Sequence, residues 1–416
     1  MLSAFYSSAA RIRELRDQQG PFGPLLERFA GYLQRSGYSS ISARRHLRSA
    51  EHVVHWAIGA NVSPEALDAV ALARFGKHLS RCRCRRFGCA ARADVLAGAR
   101  LLLEQFGGTQ RAGIRETHSV AAKPALLKSF EQWMREQRGS SEGTLYNYSL
   151  PIRALIERYG EDPGQFDARR VREFVVEYSQ GRGWAATQHC TTALRMLLHF
   201  LVADSRCRGG LFWAVPTMAH WWLSLVPRCL PPADVERLIA SCDSSTTVGI
   251  RDRAILLLLA RLGLRASDIV GLRMADIDWK EAWIRVCGKG HQEARLPLSQ
   301  EVGDALVGYL QQRPAVDTDA LFLRTRAPWR ALGSHCAVSV LVDRAIRRAG
   351  VECPARGAAH LLRHSVASSM LRQGASLQDI AALLRHRSVE TTQIYAKVDV
   401  RSLMQIAQPW VEAWPC

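Results

Sequence analysis

His360-Leu361-Leu362-Arg363-His364, followed by Leu384-Arg385-His386-Arg387 and then Thr391-Thr392-Gln393-Ile394-Tyr395, is the stretch on which the reading of this chain turns. Leu361, Leu362, Val366, Met370 and Leu371 recur at helical spacing, so His360 and Arg363, at i and i+3, share one helix face. An acid/base group is thereby set beside a fixed cation. Gly374 reads as the helix stop, and Ser376-Leu377-Gln378-Asp379 as a capping box that opens a second helix running out at Arg385-His386. A short third helix then carries Tyr395. Two histidines, a forked cation and a tyrosine, each on a short rigid element, are parts suited to attacking a phosphate diester without metal.

Upstream of this stretch, Val235, Leu238 and Ile239 predict one helix, and Ile250 to Leu262 a strongly apolar one that stops at Gly263. Residues 282–286 and 294–298 alternate with period two on either side of Gly288-Lys289-Gly290, the pattern of a hairpin. Helices at about 299–313 and 336–349 follow. The expected fold class is mainly α with a small β-sheet in a domain spanning 230–400.

Four ordered blocks carry a resemblance. His360-x-x-Arg363-His364, the Leu-x-x-His that ends at His386, and Tyr395 nine residues later look like the C-terminal signature of the tyrosine recombinase, or phage integrase, family. Gly263-Leu264-Arg265-Ala266-Ser267-Asp268-Ile269 looks like its first-arginine motif, and Gly288-Lys289-Gly290 like its lysine-bearing hairpin. The resemblance is strong over roughly 228–405 and looser upstream. It implies a site-specific DNA recombinase or integrase, closest in look to those carried by mobile elements. Such an enzyme cuts and rejoins double-stranded DNA through a covalent 3′-phosphotyrosyl intermediate, without metal or ATP.

The residue types suit that chemistry. Opening a phosphodiester requires extra negative charge on the nonbridging oxygens to be stabilised, and arginine offers a permanent charge and two parallel donors. Arg265 and Arg363 are assigned to that clamp, with Asp268 expected to brace the Arg265 guanidinium. The resemblance implies Tyr395 as the nucleophile, and a phenol of pKa ~10 suits the role because it also leaves well on the return step. His360 is expected to take the tyrosine proton, His386 to hydrogen-bond the scissile phosphate, and Lys289 to protonate the 5′ oxygen. His364, turned roughly 100° from Arg363 around the helix, is expected to serve packing. With no Walker-type loop or dinucleotide fingerprint, no cofactor is expected.

The 416 residues exceed one usual domain, and 48% hydrophobic content supplies more than one core. A formal net charge of +18, with 56 Lys and Arg spread along the chain, points to a polyanionic partner, and nucleic acid comes first. Eleven scattered cysteines do not make the disulfide framework of a small secreted domain, so a reducing compartment is expected. Nothing in the first twenty residues resembles an export signal, and a cytoplasmic, DNA-associated protein with no membrane segment is the reading.

After an N-terminal extension at 1–20, residues 21–110 read as a helical domain, and its pattern returns about a hundred residues later. Leu26, Phe29, Tyr32 and Leu33 answer to Leu127, Phe130, Trp133 and Met134, while Leu67 and Phe75 answer to Phe166 and Phe174. The second bundle, 117–206, resembles the family's SAM-like core-binding domain, and the first looks like an added N-terminal domain. In the first, His78, Cys82, Cys84 and Cys89 form a weak zinc candidate. Their spacing is not a standard zinc pattern, and Arg81, Arg83, Arg85 and Arg86 interleave with them, which favours reduced thiols beside a phosphate-contacting arginine run. Proline, glycine and tryptophan crowd a linker at 207–229. The apolar tail 401–416 is expected, by resemblance, to dock on a neighbouring protomer in a DNA-bound homo-oligomer, a tetramer, with packing in cis as the alternative. Two rival functions stand beside recombination: a catalytically silent architectural DNA binder on the same scaffold, and a type IB-like topoisomerase. The filling of all six catalytic positions argues against decay.

Overall fold

The structure is a computed structural model that describes residues 1–17, 20–84, 87, 91–106, 123–207, 209–217, 226–288, 293–353, 358–386, 388–398 and 403–404. The chain divides into two compact units, Met1–Ile114 together with Leu223–Cys416, and Arg115–Trp222. Among the described residues no helix is long and apolar enough to cross a membrane.

The first part of unit one is a bundle of α1 (Ala9–Asp17), α2 (Gly23–Arg35), α3 (Ser40–Gly59), α4 (Ala69–Leu79) and α5 (Arg92–Phe106). Ser39 caps α3 by accepting the Ser42 amide at 3.3 Å, and Asp68 caps α4 by accepting that of Ala71 at 2.7 Å. Leu26, Phe29, Leu33, Leu47, Val54, Phe75 and Leu102 fill its core. Leu2, Phe5 and Leu15 bury in the same core, so residues 1–17 pack as part of the bundle. Their apolar side chains are better placed against α2 than in water.

Unit two repeats the succession with α6 (Ala125–Arg138), α7 (Glu142–Tyr159), α8 (Ala168–Ser179) and α9 (Trp184–Ala203). A serine caps α3 in the first bundle and α7 in the second, a 3-10 turn follows each (Pro64–Ala66, Pro163–Gln165), and an aspartate caps the next helix. The apolar contacts of unit two continue beyond 206. Leu211 and Phe212 pack on the core, Val215 is buried, and Arg195 holds the carbonyls of Val215 and Pro216 at 3.1 and 2.8 Å. The stretch expected to be linker from 207 therefore begins as part of this bundle, while Trp221 and Trp222 lie outside the described residues.

The remainder of unit one contains α10 (Pro232–Ala240), α11 (Thr247–Leu262), α12 (Ala266–Gly271), α13 (Gln300–Gln312), α14 (His335–Arg348), α15 (Ala358–Arg372) and α16 (Leu377–Leu384). A small antiparallel sheet runs in the order β1 (Ile277–Asp278), β2 (Trp283–Cys287), β3 (Glu293–Pro297), with Val286 opposite Ala294. The fold is thus mainly helical with a small sheet, as the periodicities predict. The middle of helix α11 is apolar on every side because it is covered on every side: the helix packs on α13, α15 and α10, and Ile255 to Leu259 are fully buried. Ser376 and Asp379 form the expected capping box of α16. Tyr395 departs from expectation in lying on 3-10 turns, Val389–Val398, where β-branched Thr391 and Thr392 do not favour an α-helix.

Gly263 ends α11 at φ +58°, and a Cβ there would come within 2.7 Å of Leu384 Cδ2. Gly263→Ala is therefore expected to cost about 1–3 kcal/mol through left-handed strain and overpacking, read as a lower midpoint in urea unfolding with an unchanged slope.

Candidate active site

The site is built where the ends of three helices meet the middle of α15. Gly263 turns the chain out of α11, Leu264 buries, and Arg265 becomes the N-cap residue of α12 with its side chain half-buried. Arg363, on α15, is 5% exposed, so its charge must be met by protein groups. It donates Nη1 to the Gly263 carbonyl and Nη2 to the Leu384 carbonyl, two acceptors left over at the ends of α11 and α16. Burial lowers the Arg363 pKa, and the neighbouring charges of Arg265 and Arg385 add to that. Burial, and then Arg385, lower that of Arg265 against the pull of Asp268.

Asp268 does not brace the Arg265 guanidinium in the way expected. Its Oδ2 accepts the Arg265 backbone N–H at 2.8 Å and Nη2 of Arg385 at 2.5 Å. Arg385 is the residue the sequence reading passed over. It ends α16 in the left-handed conformation (φ +53°, ψ +51°), a position glycine or asparagine usually takes. Its side chain is 9% exposed, with Nε and Nη1 buried and unpartnered.

The partner of Tyr395 also differs from expectation. Its hydroxyl lies 2.7 Å from His364 Nδ1, whereas His360, one turn earlier, is exposed. His360 and His364 stand at i and i+4, and their rings are 6.2 Å apart on that face. The angle from Arg363 alone hid this relation. Tyr395 is 1% exposed, packed with Ala367, Leu371, Ile380 and Leu384. Burial pushes its phenol up to about 12, against the lowering field of Arg363. Burial, then His360 and Arg363, push His364 down to about 4. Neutral phenol beside neutral imidazole is the arrangement in which a hydroxyl donates to a base.

His386 Nδ1 lies 2.8 Å from Oγ1 of the fully buried Thr392, which fixes the ring on the segment that carries Tyr395. Burial first, then Arg363 and Arg265, bring its pKa down to about 4. Desolvation, Arg363 and Arg265 lower that of His360 as well. Arg265, Arg363, Asp268, His360, His386 and Tyr395 are thus gathered at one place, joined by Arg385 and His364. Lys289 lies outside the described residues. His78, Cys82 and Cys84 sit in the first bundle, and Cys89 lies outside the described residues. Three guanidiniums around a single carboxylate leave a surplus of positive charge with unused donors, a setting for a phosphate group.

Comparisons with known proteins give the family and the fold. A model of the phage integrase family matches residues 228–401. The putative integrase/recombinase y4rA of Sinorhizobium fredii (strain NBRC 101917 / NGR234) is 35% identical over 95% of this chain and 96% of its own. The chain belongs to the tyrosine recombinase (phage integrase) family. Tyrosine recombinase XerC of Pseudomonas aeruginosa (strain LESB58) is 32% identical over 68% of this chain and 93% of its own. A crystal structure of the XerH site-specific recombinase bound to palindromic difH substrate, a post-cleavage complex, shares the fold with a TM-score of 0.56 at 22% identity, over 69% of this chain and 85% of that one.

For this tyrosine recombinase two stability outcomes follow. Asp268→Ala strands the Arg385 guanidinium without a counter-charge and is expected to cost about 3–5 kcal/mol. Arg385→Gly removes both the charge and the left-handed strain, so chemical denaturation should rank it well above Asp268→Ala in stability. His364 and His386 are each held near 4, below the ordinary ~6.5. Each therefore contributes stability that is complete above ~6.5 and withdrawn as pH falls towards 4. A calorimetric Tm that stays flat from pH 7 to 4 would contradict the buried neutral imidazoles.

Proposed function

We propose that the chain is a site-specific DNA recombinase that cuts and rejoins double-stranded DNA through Tyr395. The observation that carries this reading is the 2.7 Å contact of the Tyr395 hydroxyl with His364, set beside Arg363 and Arg265. As the tyrosine oxygen bonds to phosphorus, its proton passes to His364 Nδ1, and the bond from phosphorus to the 5′ oxygen breaks. The product is a 3′-phosphotyrosyl link and a 5′ hydroxyl, with Lys289 as the donor of the proton the leaving oxygen takes. Because the bond is exchanged and not hydrolysed, a 5′ hydroxyl from another strand reverses the step without ATP. Arg265, Arg363 and His386 hold the phosphate while charge builds on its oxygens, with Asp268 holding Arg385 and the Arg265 backbone in place. His360, exposed on the same face, takes a supporting place beside the phosphate in this scheme. No divalent ion is needed for the chemical step, since fixed cations supply the charge.

The buried phenol implies a further condition. A nucleophile that is 1% exposed must leave its pocket to reach a phosphate, so the DNA-free chain keeps Tyr395 covered and neutral. We assign the bundle at 117–206 and the domain at 230–400 to gripping the crossover site, and the first bundle to DNA beside it. Exchange between two duplexes requires four strand cuts, and one tyrosine per chain implies four copies on DNA, joined through the 401–416 tail. The architectural and topoisomerase readings lack a comparable observation: the first leaves a hydrogen-bonded base at the phenol unexplained, and the second the repeated bundle.

A nicked suicide duplex carrying the crossover site, in buffer without added divalent cation or nucleotide, tests this. The wild-type chain is expected to become covalently attached. Tyr395→Phe is expected to bind the duplex without attaching, and Arg265→Ala to attach roughly 10²–10³-fold more slowly. Binding by the wild-type chain with no covalent product sinks the enzymatic reading, and attachment by Tyr395→Phe removes the tyrosine from its role.

A further inference from the structure

We propose that His52, His78, Cys82 and Cys84 hold one structural zinc ion that fastens the loop after α4 to the first bundle. The four ligand atoms, one from each side chain, all lie within 4.8 Å of one another. His52 Nε2 is 3.4 Å from Cys82 Sγ, and His78 Nε2 is 3.7 Å from Cys84 Sγ. Zinc bonds of ~2.0–2.1 Å to nitrogen and ~2.3 Å to sulfur place tetrahedral donors about 3.3–3.8 Å apart. Both pairs fall in that range, and the widest separation closes with a shift of roughly an ångström, within reach of side-chain rotation. Two independent thiol–imidazole hydrogen bonds would give the two short distances, but they give no reason for the pairs to converge.

The surroundings fit a closed site. His52 projects from the middle of α3, is 3% exposed, and has a buried Nδ1 with no hydrogen-bond partner. An imidazole so placed forgoes its bonds to water on one side, and a metal bond at Nε2 offsets that loss. Phe87 stacks on it with ring centroids 4.5 Å apart, and Phe75 meets it edge-on at 5.3 Å. These rings fix the imidazole and keep water out. The Cys84 backbone N–H lies 3.4 Å from Cys82 Sγ and donates to it, a bond that favours the thiolate. Four protein donors fill the coordination of zinc, so the ion would have no open position for chemistry.

The donor set accounts for the weak sequence signal. His52 comes from another helix, far upstream of the Cys82-x-Cys84 pair, so no local spacing announces it. Two thiolates and a divalent cation are together neutral, which lets them sit beside exposed Arg81 and Arg83 without adding charge. Those two arginines flank and separate the thiol ligands, so fixing the thiols also fixes where the arginines are presented.

The full chain, purified without chelator, is expected to contain about one zinc per molecule by inductively coupled plasma mass spectrometry. Exchange with cobalt(II) should give the intense visible bands of a four-coordinate ion and a near-ultraviolet thiolate-to-cobalt band. Cys84→Ser should lose that band and the stoichiometric zinc, while His55→Ala, on the exposed side of α3, keeps both. The Tyr395→Phe chain should bind zinc as the wild type does, which separates this site from the recombination chemistry. A wild-type chain that is folded by circular dichroism, carries no zinc, and shows no rise in Tm when zinc is added overturns the proposal. So does full zinc occupancy in a Cys82→Ser/Cys84→Ser chain.

Discussion

A buried guanidinium must satisfy its donors with protein or ligand groups, and much of the catalytic part of this chain is arranged around that demand at Arg363. Its two donations reach the last carbonyls of α11 and α16, so one side chain ties the first-arginine turn to the segment that bears His386 and Tyr395. Close approach of those helix ends is possible because residue 263 has no Cβ to collide with Leu384. The bond pattern and the missing methyl are two sides of one constraint. Arg363 could not reach both carbonyls if the helices stood further apart.

The same closeness creates an electrostatic imbalance. Arg265, Arg363 and Arg385 feel one another's charge, and Asp268 is the carboxylate that meets them. Positive charge concentrated in a half-buried place costs stability in the free protein and favours whatever anion arrives. The imidazoles respond by staying neutral. Burial acts on the Tyr395 phenol as well, raising its pKa so that it too stays neutral. Both shifts favour the neutral phenol–imidazole pair over its ionised form, so in the free chain the proton stays on Tyr395.

The two helical bundles extend this logic to assembly of the chain. They share caps, 3-10 turns and aromatic positions, yet the first has gained His52, His78, Cys82 and Cys84 where its counterpart has none of these side chains in the matching order. Loop residues between α4 and α5 have few apolar side chains to anchor them, and Phe87 is the buried exception among those described. An ion that binds thiolate and imidazole would supply the missing anchor from polar groups. It would also place a cluster of arginines at a defined point on a bundle already rich in positive charge.

Local chemistry along the chain was enough to determine most of the helices, the presence of the hairpin and the order of the arginine, histidine and tyrosine blocks, because periodicity, caps and turn residues act over a few positions. The resemblance to the family, rather than local periodicity, singled out Arg265, Arg363, His386 and Tyr395, and the structure brings them together. What local chemistry did not determine were relations between residues far apart in sequence. That His364 and not His360 meets the phenol, that Asp268 holds Arg385, and that His52 meets Cys82 thirty residues away depend on how helices pack. Those contacts are set by side-chain volumes and buried charges summed over several elements, and no single stretch of sequence contains that sum.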